Sequence, residues 1–179
     1  EAGEGARVAG LAVGEHVFGN AQAWCAKASG GNLGGLYGYT GPQSNNQVMT
    51  ATGMFCRQLD LVPPSDPRMP EGAQALKMRP MSVNNPAYYY VYYGTLALYQ
   101  QQGPVWADWN DRLKETLPRL QNKNGSDAGS WDKGAGHAAT GGRVVSTTLA
   151  TLSLEVYYRL LPMSGFRNKE AAPPPKQKL

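Results

Sequence analysis

The residues best suited to act on a ligand in this sequence are aromatic. The run Tyr88-Tyr89-Tyr90-Val91-Tyr92-Tyr93-Gly94 holds five of the chain's ten tyrosines. Aromatic faces carry negative potential and attract cations. Successive residues of a helix turn by about 100°, so two or three of the five can share one cavity. Tyr89, Tyr92 and Tyr93 are the set chosen by that spacing, with Tyr37, Tyr39 and Trp131 placed at the rim. Core packing is the competing use, each hydroxyl then bonding to nearby backbone. Two ionisable groups join the set as candidates. His137 lies in a Gly-rich stretch, where a solvated imidazole is the plain alternative. Glu155 sits in an otherwise apolar helical stretch. A carboxyl buried alone would be raised in pKa and could act as an acid. An ion pair with Arg159, one turn later, is favoured over that.

Other groupings carry less chemistry. Asp108, Asp111 and Glu115 stand near a helix start, where acids offset the dipole. Cys56 and Asp60 are four residues apart, but only His16 and His137 are available as imidazole ligands, and neither has the spacing of a zinc set. Asn122-Lys123-Asn124-Gly125-Ser126-Asp127 has the polar rhythm of a calcium loop without the closing Glu, so it is read as a turn. No Walker or dinucleotide glycine loop is present, and no spacing suggests a Ser-His-acid or Cys-His arrangement. Two cysteines, Cys25 and Cys56, do not make a disulfide framework. Each lies in a helical pattern and reads as a small buried hydrophobe. No metal, no cofactor and no catalytic residue are assigned.

Helices must position these groups. Apolar spacing predicts helices over about 16–28, 46–59, 71–79, 87–101, 104–121 and 144–161, after a helix end within residues 1–12. Ser44 or Asn45 can cap the second. Pro86 begins the fourth, Pro104 suits a first helical turn, and Pro118 predicts a bend. Residues 122–142 read as a long Gly-rich loop. The helices near 46–59, 87–101 and 144–161 are apolar or small around most of their circumference, which marks helices buried all round. The others are amphipathic, so outer and inner helices alternate. Val48-Met49-Thr50-Ala51-Thr52-Gly53-Met54-Phe55 lines up with Val145-Ser146-Thr147-Thr148-Leu149-Ala150-Thr151-Leu152, and a Thr-Gly pair precedes each. Repeats that bury their faces against neighbours mark solenoids and toroids. The expected fold is therefore all-α, with a domain over residues 1–163 and a Pro/Lys-rich tail over 164–179.

Composition removes several classes. The net charge is +4, with Arg167, Lys169, Lys176 and Lys178 near the C-terminal end, and no basic stripe interleaves with aromatics. A nucleic-acid partner is not expected. No apolar run reaches membrane-spanning length. Glu1 is not a natural start, and no signal peptide opens the sequence.

Several segments together resemble the α/α-toroid superfamily of squalene/hopene cyclases and protein prenyltransferases, and within it bacterial proteins with prenyltransferase/squalene oxidase repeats. They are Leu36 to Pro42, Met49 to Gln58, Tyr89 to Thr95, Trp106-Ala107-Asp108-Trp109-Asn110, Gly129-Ser130-Trp131-Asp132 and Leu154 to Arg159. Gln121 to Trp131 resembles the cyclases' Gln-Trp motif with a longer spacer; there it ties an outer helix end to the next inner helix start. The resemblance implies an α/α-toroid, here a half-barrel of about three outer/inner pairs. It implies a bacterial protein, with an extracytoplasmic place favoured. The cyclases' Asp-x-Asp-Asp acid and the prenyltransferases' Asp-x-Cys zinc pair are both absent. The expected function is a non-catalytic scaffold or binding domain within a larger protein or assembly. Its expected partner is another protein chain, or an N-terminal half, that completes the ring; an apolar small molecule is a further candidate ligand. The alternatives are an isoprenoid cyclase or prenyl-lipid enzyme whose acid lies outside this chain, and a carbohydrate-binding α/α-barrel. In a sugar-cleaving version Glu155 and Asp132 are the candidate carboxylates.

Overall fold

The computed structural model describes residues 9–159. It shows six helices and one two-stranded ladder. In chain order they are α1 (Glu15–Ala28), β1 (Ser29–Gly30), β2 (Leu36–Tyr37), α2 (Gln47–Leu59), α3 (Arg68–Lys77), α4 (Tyr88–Gln101), α5 (Gly103–Leu120) and α6 (His137–Arg159). The strands are antiparallel, with Ser29 opposite Tyr37 and Gly30 opposite Leu36. The all-α expectation holds.

Local chemistry accounts for most boundaries. Asn46 accepts from the Met49 amide at 3.0 Å and caps α2. Asp66 accepts from the Arg68 amide at 3.0 Å, and its carboxylate also pairs with the Arg68 guanidinium. That places the start of α3 ahead of residue 71, where the periodicity put it. Pro70 is accommodated because a first-turn N–H has no intrahelical partner to lose. α6 starts earlier than residue 144 as well. It begins at His137 and breaks at Gly142, whose φ of 66° and ψ of −159° suit glycine. The 122–142 loop is shorter for the same reason. Residues 9–14 are turn and extended chain. Gly10 has φ 76°, a conformation glycine commonly takes just past a helix end, and most of the expected helix end falls outside the described residues. Residues 1–8 and the 164–179 tail lie outside the described residues.

The helices form two layers. α4 lies between α6 and α2, with which it makes its most extensive contacts; α3 covers α2 and α4, and α5 covers α4 and α6. α1 packs beside α2. One core cluster joins Met54 and Phe55 of α2, Met69 and Leu76 of α3, and Leu96 and Leu98 of α4. A second joins Tyr88 and Val91 of α4, Leu113 and Leu117 of α5, Trp131, and Ala150 of α6. Each fully buried Leu of this kind contributes about 2 kcal/mol.

The aligned repeat has a structural counterpart. The Tyr37 amide donates to Thr50 Oγ1 at 3.2 Å, and the Trp131 amide donates to Thr147 Oγ1 at 3.1 Å. Thr50 and Thr147 are equivalent in the alignment. Tyr37 bridges to Ser29 just after α1, and Trp131 bridges to Gln121 just after α5. Tyr37 thus ties the end of α1 to α2, and Trp131 ties the end of α5 to α6. The Trp131 indole N–H also donates to the Leu117 carbonyl at 2.8 Å, one of the four carbonyls a helix end leaves without partners.

Burial departs from expectation at the two ends of the layer. Every residue from Gly94 to Gln100 of α4 is buried. Among the described side chains of α6, Ala138, Ser146, Ala150, Ser153 and Val156 are buried, while Val144 and Tyr158 are exposed. On α1 the apolar residues Val17, Ala21 and Trp24 are exposed, and Cys25 and Ala28 are buried. An apolar stripe states that a face should be covered; the neighbours present decide whether it is.

Candidate functional site

Four of the sequence-predicted residues meet. Tyr89, Tyr92 and Tyr93 project from the first two turns of α4, and His137 begins α6. The Tyr89 and Tyr93 ring centroids are 4.8 Å apart, Tyr92 and Tyr93 5.3 Å, and Tyr89 and His137 4.9 Å. Helical spacing puts Tyr89 and Tyr93 one turn apart on the same face. The Ala135 amide donates to the Pro86 carbonyl at 2.9 Å, which brings the start of α6 against the start of α4. The three tyrosines are half-buried and His137 is exposed. The result is an aromatic patch open to solvent, suited to flat contact with an apolar or cationic group.

The remaining candidates lie elsewhere. Tyr88 and Tyr90, neighbours in the run, point into the core. Burial raises both phenols, Tyr88 to about 12. The Tyr90 hydroxyl donates to the Arg79 carbonyl at 2.7 Å. Tyr39 is exposed, whereas Tyr37 and Trp131 are buried and bonded to α2 and α6 through Thr50 and Thr147. Glu155 is half-buried on α6; the Glu155–Arg159 pair involves a side chain outside the described residues.

A second cluster escaped sequence reasoning. Arg57 of α2 is 8% exposed, and its Nε donates to the Tyr37 hydroxyl at 3.3 Å. Burial raises the Tyr37 phenol, and the Arg57 hydrogen bond opposes the rise. The neighbouring Cys56 thiol of α2 is the main reason the Cys25 thiol of α1 is lowered to about 7; burial opposes it and the Arg57 charge assists. The only local signal was that both cysteines fall on helix faces with other small or apolar residues. Their meeting depends on how α1 docks on α2.

A third feature is an open depression of about 400 Å³ where the 121–131 loop meets α6. Ser126, Asp127, Ser130, Arg143, Thr147 and Thr148 are among its lining residues. Arg143 is ion-paired with both Asp127 and Asp132, so its charge is already balanced from two sides. Asp132 is thereby held in an ion pair and Glu155 is not among the lining residues. Among the described residues no group of three His, Cys, Asp or Glu side chains is placed to hold a metal ion. No helix there is long and apolar enough to cross a membrane. No family model, curated protein or solved structure matches the chain.

Proposed function

We propose that the chain is an arc of an α/α toroid and works as a non-catalytic scaffold or binding domain within a larger protein or assembly. The observation that carries this is the contrast between the middle and the ends of the helix layer. α4 is covered on both sides by α2 and α6. At one end Val17 and Trp24 of α1 are 42% and 43% exposed; at the other Val144 and Tyr158 of α6 are 77% and 76% exposed. Repeats of this kind bury their faces against the next repeat, and terminal ones without a polar cap stay sticky. The repeated Tyr37–Thr50 and Trp131–Thr147 ties support the toroid, since they join each outer helix end to an inner helix in the same way. The fitting occupant of the open faces is further amphipathic helix pairs of the same sort.

A second reading rests on the half-buried aromatic patch of Tyr89, Tyr92, Tyr93 and His137: an isoprenoid-type apolar ligand seated against it. Native mass spectrometry of the purified protein separates the two. A species heavier than 19.3 kDa by at least one protein chain, lost on Val17→Glu/Trp24→Glu substitution, supports the scaffold. A solvent-extractable adduct of roughly lipid mass, lost on Tyr89→Ala, moves the ligand reading ahead. A monomer without adduct at every concentration tested overturns both.

A further inference from the structure

We propose that the chain docks head to tail on a second copy of itself, the open face of α6 on one copy meeting the open faces of α1 and α2 on the next. This rests on the reading of the chain as an arc of stacked repeats, and it names the occupant of the two ends. Continued along the helices, the repeat alignment pairs Ala51, Met54 and Gln58 of α2 with Thr148, Thr151 and Glu155 of α6. In α2 these three are buried. Ala51 and Met54 share a core cluster with Met69 of α3 and Leu96 of α4, and Gln58 Nε2 donates to the Ala97 carbonyl of α4 at 2.9 Å. In α6 Thr148 and Thr151 are exposed and Glu155 is half-buried. The same alignment pairs Met49 and Cys56 of α2 with Ser146 and Ser153 of α6, and there the burial reverses. Both serines are fully buried, on one stripe with Ala150, which clusters with Tyr88 and Val91 of α4; Met49 and Cys56 are half-buried.

The two helices therefore meet α4 with opposite faces. α2 uses its front and leaves its back open; α6 uses its back and leaves its front open. The front of one copy against the back of another reproduces the front-to-back contact that α4 already makes twice within the chain. α1 shows the same vacancy. α3 rests on α2 and α4, and α5 on α4 and α6, whereas the main support of α1 is α2. Val17, Ala21 and Trp24, spaced by four and three residues on one stripe, are left exposed, and α6 of a second copy supplies the second support.

Hydroxyls on the α6 front are compatible with burial. Thr95 Oγ1 donates to the Val91 carbonyl at 2.7 Å, and Ser153 Oγ to the Leu149 carbonyl at 2.7 Å, each four residues back in its own helix. Thr148 and Thr151 can be satisfied in the same way, which leaves their methyl groups as the surface offered. Val144 and Tyr158 extend this stripe at its two ends. The chain carries both halves of the contact, so the occupant is a second copy and not a foreign helix. A contact between two different faces closes into a ring or runs on in a row.

The test is sedimentation velocity and native mass spectrometry on the purified full chain. Wild type is expected at whole multiples of 19.3 kDa. Thr148→Glu/Thr151→Glu blocks the front, and Val17→Glu/Trp24→Glu blocks the back. An unpaired charge buried at either face is expected to weaken assembly by at least about tenfold, leaving each variant monomeric where wild type is assembled. Mixed in equal amounts, the two variants are expected to form a heterodimer and nothing larger, because one intact front and one intact back remain. Recovery on mixing also shows that both variants fold. A benzophenone photocross-linker placed at Val144, in a mixture of isotope-labelled and unlabelled chains, is expected to link to an α1 or α2 peptide of the other copy, and it answers even where a glutamate variant does not fold. Variants that assemble like wild type, folded variants that stay monomeric when mixed, or cross-links confined to one chain overturn the proposal. Wild type that assembles only with a different protein overturns the second copy and leaves the scaffold reading standing; wild type that is monomeric with every partner overturns both.

Discussion

A Cβ added to Gly53 would lie 2.4 Å from Cγ of the Tyr37 ring. Tyr37 is fully buried, and its ring occupies the space that a side chain on α2 would need. The same position of the repeat in α6 is Ala150, fully buried in one cluster with Trp131. A small residue three positions after the threonine makes room for the aromatic residue whose amide that threonine accepts. Gly53→Ala would raise helix propensity by up to about 1 kcal/mol, but overpacking a buried ring costs about 1–3 kcal/mol. The net expectation is a loss of roughly 1–2 kcal/mol, seen as a lower urea midpoint at unchanged slope. A variant as stable as wild type would show that the ring can move aside.

Trp131→Phe keeps the aromatic bulk and removes one donor. The Leu117 carbonyl, which accepts from the indole at 2.8 Å, would then be buried without its partner. Leaving such a group unsatisfied costs about 1–3 kcal/mol. Equilibrium denaturation reads this directly. A change of only a few tenths of a kcal/mol would mean that water or another donor replaces the indole.

Glu71 organises the turn between β1 and β2. Its carboxylate accepts from the Asn32 amide at 2.6 Å, the Leu33 amide at 3.0 Å and the Gly35 amide at 2.7 Å. Glu71→Ala removes all three bonds at once. Amide exchange at Asn32, Leu33 and Gly35 is expected to accelerate by about tenfold or more, while amides in the middle of α4 keep their rates. Glu71→Gln, with one acceptor oxygen instead of two, should fall between. Equal acceleration throughout the molecule would mean global destabilisation and not a local brace.

Burial raises the phenols of Tyr88, Tyr90, Tyr37 and Tyr99. A group whose folded pKa lies above its unfolded value contributes stability that is whole below the unfolded value and lost as pH climbs to the folded one. The unfolded phenol titrates at about 10. Stability should therefore hold up to that pH and decline above it, Tyr88's share of the decline ending near 12. Tyr88→Phe, which cannot ionise, should flatten part of the fall in urea midpoint. Identical pH profiles for Tyr88→Phe and wild type would contradict this account.

Much of the helical plan was legible because its signals act within a turn. A cap at the start of α2 was expected at Ser44 or Asn45, but the residue that accepts from the Met49 amide is Asn46. Pro104 suits the first turn of α5, and the apolar period carried α4 from Tyr88 to Gln101. The tie between Gln121 and Trp131 was what the segment's resemblance to the cyclases' Gln-Trp motif implied. Where spacing misled, a single residue's local preference had overridden it. Asp66 started α3 early, and Gly142 allowed a helical turn before the break in α6.

The site divides the same way. The sequence alone determined that Tyr89, Tyr92 and Tyr93 share one side of a helix, since 3.6 residues per turn leave no other choice. Only the tertiary structure brought His137 to Tyr89, Arg57 to Tyr37 and Cys25 to Cys56. It also decided that α4 is wrapped while α1 and α6 keep apolar faces open. Helical phase is a property of consecutive residues, but contact between distant residues requires loops to close and whole faces to pack, so it is settled by the total burial of the assembled layers.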